Sequence, residues 1–283
     1  MSQPIQEISA SPMSGSKRFR ASGPILLLAI LFLAATFLAW YFTWFGRGLS
    51  DGDITKYLED TRNPRHVQHA LLQVQQRLER GDQSAKTWYA QIQALSENPE
   101  TEFRLTTAWL MGFDNKSNEF HSALLKLVHD PEPIVRRNAA LALVRFGDKS
   151  GHDELLSVLR PYSVRATATG TVSSTLRAGS DVSRGTLLIR VQGSDGREVE
   201  IRSPLPGKIN QLSKVNGEVV NTNDELLTLN SDEESVWEAL RGLSLIGTAA
   251  DTDFIFAFMK STNLTPRVKE QGLSTMQTLG TRK

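Results

Sequence analysis

One helix design occurs twice in this chain. Glu132-Pro133-Ile134-Val135-Arg136-Arg137-Asn138-Ala139-Ala140 aligns with Thr265-Pro266-Arg267-Val268-Lys269-Glu270-Gln271-Gly272-Leu273, and the gapless match runs on to Phe146-Gly147 over Leu279-Gly280. Proline in a first turn loses no intrahelical hydrogen bond, and glycine after the last turn permits a left-handed cap. Valine two residues after the proline, a basic residue next and small residues beyond complete the pattern. This is the second helix of a stacked helix-pair repeat, an α-solenoid, whose units bury their apolar faces only against neighbouring units. Such a fold offers a surface for partners and contains no chemistry of its own.

Between residues 51 and 160 apolar residues recur at helical spacing in blocks separated by turn signals. Ile54, Tyr57 and Leu58 begin a short helix, and Pro64 opens one carrying Val67, Ala70, Leu71, Val74 and Leu78 that Gly81-Asp82 ends. Trp88, Ile92 and Leu95 line the next. Asn98-Pro99 starts another with Phe103, Leu105, Ala108, Trp109 and Met111, and Phe120, Leu124, Leu127 and Val128 precede the helix that Pro133 opens. The starts at Pro64, Pro99 and Pro133 lie about 35 residues apart, a period typical of helix pairs. LLKLVHDPEPIVRRNAALALVRFGD, residues 124–148, resembles HEAT repeats in Asp130, Pro133, Val135, Arg136 and the alanines. The resemblance implies stacked helix pairs with a protein-binding or scaffolding role. Asp130 and Arg136 are expected to align neighbouring repeats by hydrogen bonding.

Pro161 stops the helices, and over 161–232 the composition turns to Val, Thr, Gly and Ser in alternation. Gly170-Thr171-Val172 followed by Ala178-Gly179-Ser180-Asp181-Val182 mirrors Gly207-Lys208-Ile209 followed by Asn216-Gly217-Glu218-Val219-Val220. The glycines and asparagines suit tight turns, and a duplicated β unit buries a core between its halves. Residues 201–229 (IRSPLPGKINQLSKVNGEVVNTNDELLTL) look like the barrel-sandwich hybrid of biotinyl/lipoyl carrier domains and membrane-fusion periplasmic adaptors. Carriers place a modified lysine at the hairpin joining the halves. Here that hairpin is Val191-Gln192-Gly193-Ser194-Asp195-Gly196-Arg197-Glu198, with Gly196 at the lysine's place, and Lys208 lies on a different turn. No swinging-arm cofactor is expected. The adaptors' long helical hairpin and following β-barrel are also missing, because the chain returns to helix with VWEALRGLSLIG.

Residues 24–45 (PILLLAILFLAATFLAWYFTWF) carry no charge, and a helix of that length rises about 33 Å against a hydrocarbon core of about 30 Å. Trp40, Tyr41 and Trp44 crowd one end, while Lys17, Arg18 and Arg20 precede it. By the positive-inside bias the segment reads as an uncleaved single-span anchor, with 1–23 a disordered cytoplasmic tail and the remainder outside the cytoplasm. A cleaved signal peptide would have a shorter apolar region ending in small residues.

Lys plus Arg number 32 against 31 for Asp plus Glu, so no field favours nucleic acid. The absence of cysteine excludes thiol nucleophiles, disulfides and Cys-ligated zinc, and leans towards an extracytoplasmic location. Of the five histidines only His66 and His69 share a helix face, and without further ligands they read as solvated. Asp232-Glu233-Glu234 reads as the acidic opening of a helix, and Phe254, Ile255, Phe256, Phe258 and Met259 as an apolar helix of the last repeat. No catalytic, cofactor-binding or metal residue is assigned.

The resulting expectation is a multidomain protein. It has a tail over 1–23, a transmembrane helix over 24–45, HEAT-like helices over 51–160, a barrel-sandwich hybrid over 161–232 and HEAT-like helices over 233–283. Function is expected to be non-enzymatic: a membrane-anchored scaffold or adaptor binding protein partners of an envelope or transport complex, such as a transporter, at a bacterial inner membrane. Lipid contact would run through 24–45, and homo-oligomerisation is left open. The alternative is a degenerate carrier-type subunit of an enzyme complex.

Overall fold

The computed structural model describes residues 23–44, 48–261 and 264–282, in two units, Met1–Gly48 and Leu49–Lys283. The first unit contains one helix, α1 (Gly23–Trp44). Its side chains are described as far as Ala39. Among the described residues no helix is long and apolar enough to cross a membrane. That finding overturns the single-span reading of 24–45, the lipid contact and the inner-membrane location that depended on it. The tail over 1–22 and the side chains of Trp40, Tyr41, Trp44 and Phe45 lie outside the described residues.

The second unit is built from helix pairs: α2 (Asp51–Glu59) with α3 (Pro64–Glu79), α4 (Tyr89–Ser96) with α5 (Thr101–Met111), and α6 (Asn118–Leu127) with α7 (Pro133–Arg145). Next come α8 (His152–Val158) with α9 (Glu233–Ile246), and α10 (Thr252–Met259) with α11 (Pro266–Gly280). Helix starts follow local chemistry. Ser50, Ser117, Asp232 and Thr265 each accept a backbone N–H of the first turn, and Pro64, Pro133 and Pro266 occupy first-turn positions. Gly81 and Gly147, past the ends of α3 and α7, take φ of 71° and 70°, which an L side chain resists. The second helices α3, α5, α7, α9 and α11 pack side by side in one layer. A single apolar core runs through the pairs from Leu49 to Leu279.

Between α8 and α9, the two helices of one pair, lies a β module. Its strands are β1 (Tyr162–Arg165), β2 (Gly170–Ser173), β3 (Asp181–Val182), β4 (Leu187–Gln192), β5 (Glu198–Arg202), β6 (Gly207–Leu212), β7 (Val219–Val220) and β8 (Glu225–Ser231). They form two four-stranded antiparallel sheets ordered β1-β8-β6-β3 and β5-β4-β2-β7. Advancing each strand of the first sheet by four, cyclically, reproduces the second, so the two halves of the module interleave and share one core of Val172, Val191, Ile209, Val220, Leu227 and their neighbours. Tyr162 pairs with Leu229, so the module enters and leaves the helical array at one place. There Ser231 Oγ donates to Val158 O at 2.9 Å. The module also touches the array where Arg184 Nη1 meets Glu102 Oε1 at 2.6 Å.

Candidate protein-binding face

The second-helix layer presents rows of side chains four residues apart, the spacing that keeps residues on one helix face. Trp109 and Phe113 come from α5 and the turn after it, Leu141 and Arg145 from α7, and Trp237, Arg241 and Leu245 from α9. The outward positions are unusually apolar for a charged-outside helix: Leu72 is 50% exposed, Leu245 59% and Leu273 60%. Arg145 lies over the rings of Trp109 and Phe113 at 4.9 and 4.6 Å. Trp237 is flanked by Arg241 at 5.6 Å and Arg267 at 4.4 Å, and Arg267 makes a two-pronged ion pair with Glu234. Stacking on rings fixes a guanidinium plane and leaves its N–H edge free for an acceptor.

Trp109, Leu141, Val144, Arg145, Glu238, Arg241 and Leu245 enclose a slot of about 130 Å³. Burial, then the like charge of Arg241, pulls the Arg145 pKa below the usual arginine range. Burial, then Glu234, pushes the Glu238 carboxyl above its ordinary value. Arg145 and Glu238 are thus each pushed towards their neutral forms, which water or a complementary ligand would relieve.

The residues expected to align repeats do so. Arg104 donates from Nε and Nη2 to Asp130 at 2.7 and 3.1 Å, and from Nη1 to the carbonyls of Asn98 and Pro99. Arg136, at the same position of α7, donates to the carbonyls of Asp130 and Pro131 and to Glu154 at 2.9 Å. In the fourth pair the loop that would carry the acid is replaced by the β module, and α8 supplies Glu154 instead. A second ladder joins the first turn or so of α4, α6 and α8 to the segment after each one's partner helix: Tyr89 to Asp114 at 2.6 Å, His121 to Asp148 at 2.7 Å and His152 to Asp251 at 2.9 Å. No local motif marks these rungs, whose members lie 25, 27 and 99 residues apart.

His66 is not simply solvated. It bonds Asp60 at 2.8 Å and stacks on Tyr57, while His69 bonds Gln73. Among the described residues no cluster of His, Asp or Glu is suited to a metal ion. Asp232 caps α9 by accepting from the Ser235 N–H at 2.7 Å. On α10, Ile255 is buried, Phe254, Phe258 and Met259 pack partly against the core and Phe256 stays exposed. The β4–β5 hairpin turns at Gly193–Gly196, with Gly196 at φ 78°, and Lys208 faces Asp181 at 3.5 Å. Sequence reasoning missed Arg137, which is 5% exposed on α7, bonds only Ser231 Oγ and leaves Nε and Nη1 without acceptors.

A model of HEAT repeats matches residues 90–172. Residues 90–172 carry HEAT repeats. The match begins within α4 and runs into the first strands, and the helix pairs on either side share its core. HEAT repeats are in general protein-interaction modules. No curated protein matches the chain. Among solved structures, a single-chain, multi-domain long-chain acyl-CoA carboxylase is 20% identical over 31% of this chain and 10% of its own, with a TM-score of 0.24. The complex of CpcE and CpcF of phycocyanin lyase from Nostoc sp. PCC7120 is 15% identical over 84% of this chain and 68% of its own, with a TM-score of 0.45. At such scores neither superposition carries an argument about this chain.

Proposed function

We propose that the protein is a non-enzymatic scaffold that holds a protein partner on its second-helix layer. The observation that carries this reading is the set of exposed leucines on α3, α9 and α11 and of arginines lying over aromatic rings on α7, α9 and α11. Exposed apolar positions gathered on one face mark interaction surfaces, and aromatic and arginine residues are enriched where interfaces concentrate their energy. The test is site-specific photocrosslinking. A crosslinker at position 245 or 273 is expected to capture a discrete partner that one at the exposed Ser122 on α6 does not. Equal capture from both layers, or none from the second, would remove the reading.

The β module supports a barrel-sandwich hybrid of biotinyl/lipoyl type that has no acceptor lysine. Its two halves interleave by a cyclic shift of four strands, and a glycine turn occupies the hairpin where carriers hold the modified residue. The intact protein is expected to show no lipoyl or biotinyl mass increment. An acylated lysine within 161–232 would favour the carrier-type subunit instead.

A further inference from the structure

Arg145 and Arg241 enter the same slot from adjacent helices, and neither has a carboxylate at ion-pair distance among the described residues. The Arg145 guanidinium sits in the corner made by the nearly perpendicular rings of Trp109 and Phe113, and the backbone there is tied by the Arg145 carbonyl, which accepts from Asn115 Nδ2 at 2.8 Å. Two guanidiniums set in place against apolar walls repel one another, an arrangement a shared anion relieves. Leu141, Val144 and Leu245 provide those walls. Two carboxylates limit how much negative charge the slot can accept: Glu238 lines it, and Glu79 acts on Arg145 from α3.

We propose that this slot recognises an acidic segment of a partner protein, with one carboxylate between Arg145 and Arg241 and a neighbouring apolar side chain against Leu141 and Leu245. The proposal rests on the scaffold reading and names its partner's chemistry. A single carboxylate answers the mutual repulsion of the guanidiniums. A phosphate, with its second charge, would meet Glu238 and Glu79. A purely apolar segment would cover both arginines without an acceptor, and burying an unpaired charge is costly. Planar guanidiniums suit a planar carboxylate better than a lysine would.

The test uses random peptides displayed on phage and panned against the full chain, with the selected peptides then measured as free ligands. Enriched peptides are expected to place Asp or Glu beside Leu or an aromatic residue. Their affinity should fall about tenfold or more in the Arg145→Gln/Arg241→Gln variant and fall with added salt. Arg145→Lys should lose part of the affinity while keeping the charge, and Glu238→Gln should tighten binding about threefold by removing a competing carboxylate. Unchanged melting curves for all three variants confirm that folding is not the cause. Selected peptides that lack acids, or that bind the double-glutamine variant equally while failing on Leu245→Asp, overturn the carboxylate assignment and leave the scaffold face standing. Peptides indifferent to both sets of changes, or no enriched peptide at all, remove the slot as a docking site.

Discussion

Two arginines about one repeat apart, Arg104 partly buried and Arg137 fully so, have opposite consequences. Arg104 is met by Asp130, which is 8% exposed, through two nitrogens and by two backbone carbonyls through a third. Asp130→Ala would strand that charge in the core and is expected to cost about 3–5 kcal/mol in urea unfolding. Among the described residues Arg137 reaches only Ser231 Oγ and has two unmatched nitrogens, and burial lowers its pKa. Arg137→Met, which fills similar space without charge, is expected to leave stability unchanged or raise it by about 1–2 kcal/mol; a clear loss would show that its charge is satisfied in solution. The His152 rung makes a pH-dependent prediction. Burial lowers the imidazole pKa, but bonds to Asp251 and Asp153 outweigh it and hold the pKa above its usual value. Burial raises the Asp251 pKa, but the Thr248 N–H and His152 outweigh it and hold the carboxyl below its usual value. The histidine contribution is complete below about pH 6.5 and is lost as pH climbs through the raised value. The aspartate contribution is complete above about pH 4 and is lost as pH falls through the lowered one. The Tm gap between wild type and His152→Gln should therefore be widest near pH 5–6 and shrink as pH rises through the raised imidazole value, and a flat gap would mean the rung is uncharged. The Asp130 and Arg136 roles were legible because the repeat pattern carries them. Arg137 was not, since nothing in Arg136-Arg137 distinguishes the outward arginine from the inward one before the β module closes over it.

At the level of elements, prolines, glycines and the apolar period locate most helices, because these act within a few residues of where they stand. The Asn98-Pro99 turn shows the limit of such signals. α5 begins only at Thr101, since the carbonyls of Asn98 and Pro99 are taken by Arg104 rather than by the helix backbone. The apolar run over 24–45 misled in another way: composition signals a membrane helix readily, whereas among the described residues none has the length and apolarity to span. The glycines of the duplicated β motif are better explained by the fold. A Cβ on Gly170 would lie far inside contact with the Gln192 carbonyl, and one on Gly207 inside contact with the Asn230 carbonyl. β2 and β6, equivalent strands of the two halves, therefore both need a residue without a side chain where a neighbouring strand crosses. Gly207→Ala forces backbone to move and is expected to cost about 1–3 kcal/mol. Gly147→Ala, at a positive φ but with open space around it, should cost about 1 kcal/mol. Denaturant melts read both, and equal costs would mean that strand crossing is looser than it looks.

The unit from Leu49 onward is a helical array interrupted inside one of its own repeats, and the interruption joins the array at a single place. Tyr162 and Leu229 are paired neighbours, and the β module keeps its own core, Val164 to Leu229, apart from the helical core. α9 belongs to the helical side. Val236, Ala239, Leu240, Leu243 and Ile246 are buried in the array core, and a Cβ at Gly242 would press on Leu155 Cδ1 at 2.9 Å. The segment VWEALRGLSLIG made this return to helix visible in the sequence, and the match between Pro133 and Pro266 marked α11 as a further second helix. That α8 and α9 form one pair across the module was not visible, since the pairing depends on chain ends meeting in space. Replacing 162–231 by a short Gly-Ser bridge should therefore leave a helical protein that melts in one cooperative step. It should lose the Ser231 bonds to Val158 and Arg137 and the Arg184–Glu102 pair, and remain soluble. Ending the chain at 232 should do worse although it removes fewer contacts of the β module: it strips α9 from α7 and α8 and opens Leu143 and Leu155 to water, where a repeat array without its terminal cap associates. Circular dichroism melts and light scattering of the two variants read the outcome. A bridged variant that fails to fold beside a truncated one that stays monomeric would mean that the helices before and after the module stand independently, and that the module is the element joining them.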